Sequence, residues 1–329
     1  MSKRIFVLYT GGTIGMVPGA DGLMPDEGLA QMLMPSANGM IFDWYICRPL
    51  IDSSAVRLED WKTWLELVRS KLVEYDGILI LHGTDTLAYT ANLFALALPD
   101  VDKPIVLTGA QLPFHAPQSD APLNVQTAAA VFTLPDVRGV WIAFGRRLLQ
   151  AVGSSKVSTE HARGFDNPHF GAAAVWQHGA WQLCGGSGGF LSENAADNLP
   201  RSLRPSADTA VYTLVPGMMQ HYIAQDLRRK TARAVVLQSY GHGNTPDDEA
   251  FISAVRQFAE SGGILLNISQ SVQGRAAAVY EQGSALRQAG AVQGGKCNLE
   301  TASVLAVLAA GNAWTADDMR CELLRLNLL

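Results

Sequence analysis

Hydroxyls, glycines and a carboxylate recur in four short stretches of this sequence: Thr10-Gly11-Gly12-Thr13-Ile14-Gly15, Asp52-Ser53-Ser54, His82-Gly83-Thr84-Asp85-Thr86 and Gly109-Ala110-Gln111. In the first, Gly11 and Gly12 allow close backbone approach, and exposed N–H groups can hold an anion or polarise a carbonyl. The stretch lacks the Gly-Lys-Ser/Thr end of a phosphate loop and the G-x-G-x-x-G spacing of a dinucleotide site. Alone, it reads equally as a tight strand-to-helix turn. In the third, Thr84 and Asp85 stand side by side ahead of a helical pattern. One of them would suffice to cap that helix, whereas two hydroxyls and a carboxylate at one rim also suit amide chemistry. A threonine hydroxyl is a poor nucleophile until a base or cation partners it. Lys156, in the polar segment Gly153-Ser154-Ser155-Lys156-Val157-Ser158-Thr159, is the best candidate partner, because lysine can serve as a base beside a carboxylate. By itself that segment reads as a loop with an exposed lysine.

Such groups need a scaffold that delivers them to one edge. Apolar runs at 5–9, 77–81, 104–107 and 140–144 each lead into a glycine-bearing turn. Continuous Val/Ile/Leu runs are the mark of strands buried on both faces. Between them, 59–75 places Trp61, Trp64, Leu65, Val68 and Leu72 at helical spacing, and 88–98 and 123–134 are similar. Alternating strands and helices give an α/β fold with a doubly wound, mostly parallel sheet, whose ligands bind beyond the strands' carboxyl ends. All four stretches fall there. The glycine run at 185–189 opens a segment without period, which reads as a linker. The expected organisation is an N-terminal α/β domain over 1–188, a linker over 189–210 and a smaller C-terminal α/β domain over 211–329. In the latter, strands are expected at 211–215, 234–237 and 264–268, and helices at 299–310 and 315–324. Thr245-Pro246-Asp247-Asp248-Glu249 is a further helix start, with Thr245 as cap and Pro246 at the first position.

The chain has 329 residues, 48% hydrophobic and 17% charged, enough apolar mass for real cores and too little charge for disorder. Lys and Arg number 25 against 30 Asp and Glu, a net charge of −5 that argues against nucleic-acid binding. Apolar stretches such as 303–310 are less than half the ~20 residues a spanning helix needs. The run 5–9 falls short of the ~7–15 apolar residues of a leader peptide. The four cysteines (Cys47, Cys184, Cys297, Cys321) are scattered and form no C-x-x-C, which fits reduced thiols in a cytoplasmic protein. The seven histidines form no metal-binding spacing, so no metal is expected. His82 is expected to orient its loop by hydrogen bonding, and His242 to line a site or fill a turn.

The run from Val7 through Gly15 and the run from Gly77 to Leu87 resemble the two signature motifs of the bacterial-type L-asparaginases, in the family's order and spacing. The likeness continues through Pro49-Leu50-Ile51-Asp52-Ser53-Ser54, Thr108-Gly109-Ala110-Gln111-Leu112-Pro113, Ser119-Asp120 and Ser239-Tyr240-Gly241-His242-Gly243-Asn244, and is strongest to the cytoplasmic, type I branch. The resemblance implies hydrolysis of L-asparagine to L-aspartate and ammonia through a threonine-linked acyl-enzyme, with no cofactor and no metal. By position, Thr13 would be the primary nucleophile, and Thr84, Asp85 and Lys156 a second group that moves protons and activates water. Asp52, Ser53, Ser54 and Asp85 would bind the substrate's α-carboxylate and α-ammonium. Gly83, Ala110 and Thr84 would surround its side-chain amide. The family also implies homodimers or homotetramers, in which Asn244 of one chain reaches a neighbour's site; Tyr280 and Glu281 are weaker candidates for the same role. Relatives place a tyrosine on the loop after the glycine turn, where this sequence has Leu23, which cannot relay a proton. That departure keeps open another amide, such as glutamine, as substrate. A catalytically silent asparagine or aspartate sensor is the alternative of another class. Ser269-Gln270-Ser271 is the one segment offered for an allosteric site.

Overall fold

The apolar runs become strands because helices cover them on both faces. The computed structural model describes residues 2–19, 22–28, 39–184, 199–217, 219–277 and 281–329. The chain divides into two units, Met1–Glu193 and Asn194–Leu329.

In the first unit, β1 (Arg4–Tyr9) is followed by a hairpin of β2 (Met16–Gly19) and β3 (Gly22–Pro25), then by β4 (Ile41–Ile46). Helix α1 (Leu58–Lys71), β5 (Gly77–Leu81), α2 (Leu87–Ala97), β6 (Pro104–Thr108), α3 (Ala121–Val131) and β7 (Gly139–Phe144) complete the alternation. The parallel strands lie in the order β4-β1-β5-β6-β7. Numbered along the chain, this is 2-1-3-4-5, so the winding reverses between β1 and β5. Ligands of open α/β sheets bind at that switch point, outside the carboxyl ends. Register pairs Tyr9 with Leu81 and Leu81 with Thr108, so Thr10, His82 and Gly109 leave the sheet at one level. Helix α1 turns Trp61, Trp64, Leu65 and Val68 inward. Helices α2 and α3 are buried almost all round, as helices without a polar face must be.

Beyond β7 the sheet turns antiparallel, through β8 (Arg147–Gln150). A two-strand ribbon follows, β9 (Ser155–Lys156) against β10 (Phe165–Asp166). Strands β11 (Ala174–Gln177) and β12 (Ala180–Leu183) then finish the eight-stranded sheet.

The second unit is a parallel sheet of β13 (Thr209–Thr213), β14 (Ala234–Ser239), β15 (Ile264–Ser269) and β16 (Val292–Gln293), in chain order. Its helices are α4 (Met219–Arg229), α5 (Glu249–Glu260), α6 (Glu281–Gln288), α7 (Leu299–Asn312) and α8 (Ala316–Arg325). The expected cap of α5 is corrected. Asp248, not Thr245, accepts from the amide of Phe251, at 3.0 Å. Residues Tyr240 and Asn244 are bonded to each other through their backbones, which holds Thr245 and Pro246 in the exit from that turn and delays the helix. Part of the proposed linker, 189–198, lies outside the described residues. Residues 199–208 carry no helix or strand, and β13 begins at Thr209.

Arg201, in that irregular stretch, is nonetheless buried. Its guanidinium makes a two-bond fork to the carboxylate of Glu322 at 2.7 Å, Arg325 makes a second fork at 2.7 Å, and Arg201 stacks 5.5 Å from the Trp314 ring. Burial alone would raise the Glu322 pKa, but the bonds from Arg325 and Arg201 outweigh it and hold the carboxyl below its ordinary range. Glu322→Ala would remove the carboxylate that both guanidiniums grip, one of them, Arg201, buried. It is expected to destabilise the protein by about 3–5 kcal/mol, read as a fall in the urea midpoint. Among the described residues no helix is long and apolar enough to cross a membrane.

Candidate active site

At the switch point the loops after β1 and β5 and the segment around Ser53 pack backbone to backbone. Gly12 has φ of 90°, and a Cβ built on it would lie 2.3 Å from Gly83 Cα. A Cβ on Gly83 would lie 2.5 Å from Ser53 Oγ. Glycine is required at both places by contact, and at Gly12 also by conformation. Hydrogen bonds fasten the same junction. The Ile51 amide donates to Thr10 O at 2.8 Å, Asp85 N to Ser53 Oγ at 3.2 Å and Thr86 Oγ1 to Ser53 O at 2.7 Å.

The result is a cavity of about 250 Å³. Its wall includes Thr13 from the β1 loop, Met16 at the start of β2, Asp52 and Ser53, Gly83, Thr84 and Asp85 from the β5 loop, Gln111 from the β6 loop, and Lys156 and Thr159. Lys156 Nζ donates to Thr84 Oγ1 and to Asp85 Oδ1, each at 2.7 Å. Its side chain is only 16% exposed, whereas that of Asp85 is 58% exposed. The reading of Lys156 as an ordinary exposed loop lysine therefore fails. Ribbon pairing is what carries it inward: Lys156 sits opposite Phe165, a fully buried side chain. The capping reading of Thr84 and Asp85 also fails, because Thr86 holds the N-cap position of α2 and no side chain caps it.

Below the wall, His82 is buried and makes two hydrogen bonds. Its Nδ1 is 2.7 Å from Gly83 O, an atom that can only accept, so Nδ1 carries the proton. Its Nε2 then accepts from Thr90 Oγ1 at 3.0 Å, and Thr90 Oγ1 in turn accepts from Trp61 Nε1 at 2.9 Å. His82 thus orients the Gly83 carbonyl. Burial pushes its pKa down from 6.5 to about 4, with the Gly83 bond opposing. Between those pH values the unfolded chain takes up a proton that the folded ring refuses, so stability rises with pH across this window. Acidification from 6.5 to about 4 is expected to remove on the order of 3 kcal/mol through this residue. Urea unfolding at a series of pH values should give a slope that His82→Asn lacks; equal slopes in the two proteins would refute this.

The other expected site residues are distributed differently. Ser54 is exposed, does not line the cavity, and donates from its amide and its hydroxyl to Asp52 Oδ1, both at 2.9 Å. Ala110 is 1% exposed behind the wall. Asn244 belongs to the second unit, in the turn after β14, and its buried Oδ1 has no hydrogen-bond partner among the described residues. Tyr280 lies outside the described residues, as does the side chain of Glu281. Leu23 sits on β3 opposite Pro18, described by its backbone alone. Ser269 and Gln270 are committed to structure, with Ser269 Oγ donating to Gly241 O at 2.6 Å and Gln270 Nε2 to Leu214 O at 2.6 Å. Among the described residues, no group of three or more His, Cys, Asp or Glu could hold a metal ion. Met16, Gln111 and Thr159 line the cavity without having been singled out for it. Gln111 stood in a recognised rim stretch and Thr159 in the polar segment around Lys156, which were the available signals; Met16 carried none.

Residues 4–185 match the family model described as "Asparaginase, N-terminal", and 208–321 match "Glutaminase/Asparaginase C-terminal domain". L-asparaginase 1 of Escherichia coli K12 is 31% identical over 320 residues, covering 91% of this chain and 89% of that one. The 60 kDa lysophospholipase of Homo sapiens is 26% identical, across 99% of this chain and 61% of that protein. The crystal structure of L-asparaginase I from Vibrio cholerae superposes with a TM-score of 0.81 at 25% identity, covering 98% of this chain and 97% of that one. Two family models and a full-length relative converge on a chain whose threonine-bearing loops meet at the switch point: this protein belongs to the asparaginase family.

Proposed function

We propose that this chain hydrolyses L-asparagine to L-aspartate and ammonia. One observation carries the proposal: an amine 2.7 Å from both a threonine hydroxyl and a carboxylate, in the wall of a cavity that a second threonine also lines. The relatives named L-asparaginase support the choice of substrate.

In this reading Thr13 Oγ1 attacks the side-chain amide carbon. The C–N bond breaks, ammonia leaves with the hydroxyl proton, and an aspartyl ester remains on Thr13. Water then adds to the ester, and Thr13 recovers its proton as aspartate departs. Thr84, Lys156 and Asp85 form the proton-handling group. The Thr84 hydroxyl already touches Lys156 Nζ, so a proton can pass between them without rearrangement. Asp85 orients the amine and, being open to the cavity, offers its other oxygen to the substrate's α-ammonium. The Ser53 hydroxyl, whose oxygen accepts from Asp85 N, keeps its own proton for the α-carboxylate. Asp52 shapes that end of the cavity, and Ser54 serves by fixing Asp52. His82 contributes through the peptide plane: with Gly83 C=O turned to the ring, the trans geometry directs the Thr84 N–H the opposite way. We further propose a cytoplasmic homodimer or homotetramer in which Asn244 completes a neighbour's site.

The test is ammonia release from L-asparagine and from L-glutamine by the purified protein. Release from asparagine with higher kcat/KM than from glutamine supports the reading. Release from neither rejects it.

A further inference from the structure

Gln111 is held unusually firmly for a residue at a cavity wall. Its amide donates to both oxygens of Asp120 at 3.0 Å, and Asp120 also accepts from Leu112 N at 3.1 Å and Asn124 Nδ2 at 2.9 Å. Asn124 Nδ2 reaches back to Gly109 O at 3.0 Å, so the turn after β6 is bound to the start of α3. From this fixed base the Gln111 side chain crosses to a distant part of the chain. Its Nε2 donates to Ser158 O at 2.9 Å, two residues past Lys156.

The place where it lands is the neck of a loop. Gly164 O accepts from Val157 N at 2.8 Å and from Ser158 N at 3.3 Å, closing residues 157–164 into a ring. The carboxamide fits against this neck because residue 164 has no side chain. A Cβ on Gly164 would lie 2.6 Å from Gln111 Nε2. Lys156 immediately precedes the neck, at the end of a ribbon only two residues long. So short a ribbon leaves the Lys156 backbone dependent on what pins the next turn.

We propose that Gln111 is a positioning residue for the hydrolysis. Its carboxamide ties the Lys156-bearing segment to the carboxyl end of β6 and thereby sets the distance from Lys156 Nζ to Thr84 Oγ1. This rests on the reading of Lys156 as part of the proton-handling group. A Ser158 carbonyl needs a donor, and few side chains supply one at this reach; methionine matches glutamine in length and supplies none.

Gln111→Met is expected to lower kcat for asparagine by about 10- to 100-fold, with a smaller change in KM and an altered pH profile of kcat. Amide hydrogen exchange at Val157 and Ser158 should quicken in the same variant. Gly164→Ala crowds the carboxamide and should reproduce the loss in the wild-type background, but add nothing to Gln111→Ala, as expected of coupled sites. Wild-type kcat, pH profile and exchange in Gln111→Met would overturn the proposal, and so would additive losses in the double variant. A wild-type protein inert toward asparagine would reject the functional reading instead. Exchange at Val157 and Ser158 then decides the tether, with unchanged rates overturning it and faster rates upholding it.

Discussion

Thr13→Ala is expected to lower kcat for L-asparagine by at least about 10,000-fold while leaving the protein folded. Thr13 opens a short 3-10 turn, Thr13–Gly15, that the geometry of Gly12 and its packing on Gly83 define. That packing does not involve the Thr13 hydroxyl, which has no hydrogen-bond partner among the described residues. On the proposed mechanism alanine removes the attacking oxygen, and it breaks no side-chain hydrogen bond among the described residues. Thermal unfolding should move little, and ammonia release should collapse. Thr13→Ser, which keeps the hydroxyl, should retain activity within about tenfold, since only packing and hydroxyl placement change. Mass spectrometry of enzyme quenched during turnover should find the aspartyl ester on the peptide containing Thr13. An ester on the peptide containing Thr84, with turnover preserved in Thr13→Ala, would exchange the roles of the two threonines.

The scaffold of this site was legible in the sequence because its signals are local. Buried strands announce themselves as apolar runs, and the glycines at 12 and 83 follow directly from them. What those glycines touch was not legible, since Gly12 against Gly83 joins loops some seventy residues apart. Lys156 shows the same limit. Its own segment looks like a solvated loop, and only the pairing of Lys156 with Phe165 and of Ser155 with Asp166 turns it inward. Ser54 shows a partner that the motif alone did not announce. A serine beside Asp52 and Ser53 looks like a donor for substrate, yet the carboxylate two residues back captures its hydroxyl first, the local competition that serine and aspartate favour in turns. Thr245 fitted the sequence rules for a cap and lost to Asp248, because a backbone-closed turn lies just upstream.

Lys156→Met is expected to cost about 100- to 10,000-fold in kcat, the range for a positioned proton-transfer group, with a much smaller effect on stability. The pair it forms with Asp85 has one partner more than half exposed. Pairs of that kind contribute at most about 1 kcal/mol, so lost activity cannot be assigned to unfolding. Lys156→Arg separates the two roles the amine can play. Arginine keeps the positive charge beside Asp85 and still donates hydrogen bonds, but it does not give up its proton in proteins. If Lys156 moves a proton to or from Thr84 Oγ1, the arginine variant should be nearly as impaired as the methionine variant. If it only fixes the Thr84 and Asp85 side chains by charge, arginine should recover most of the rate. The second result would remove Lys156 from the proton path and leave Thr84 to exchange its proton through water in the cavity.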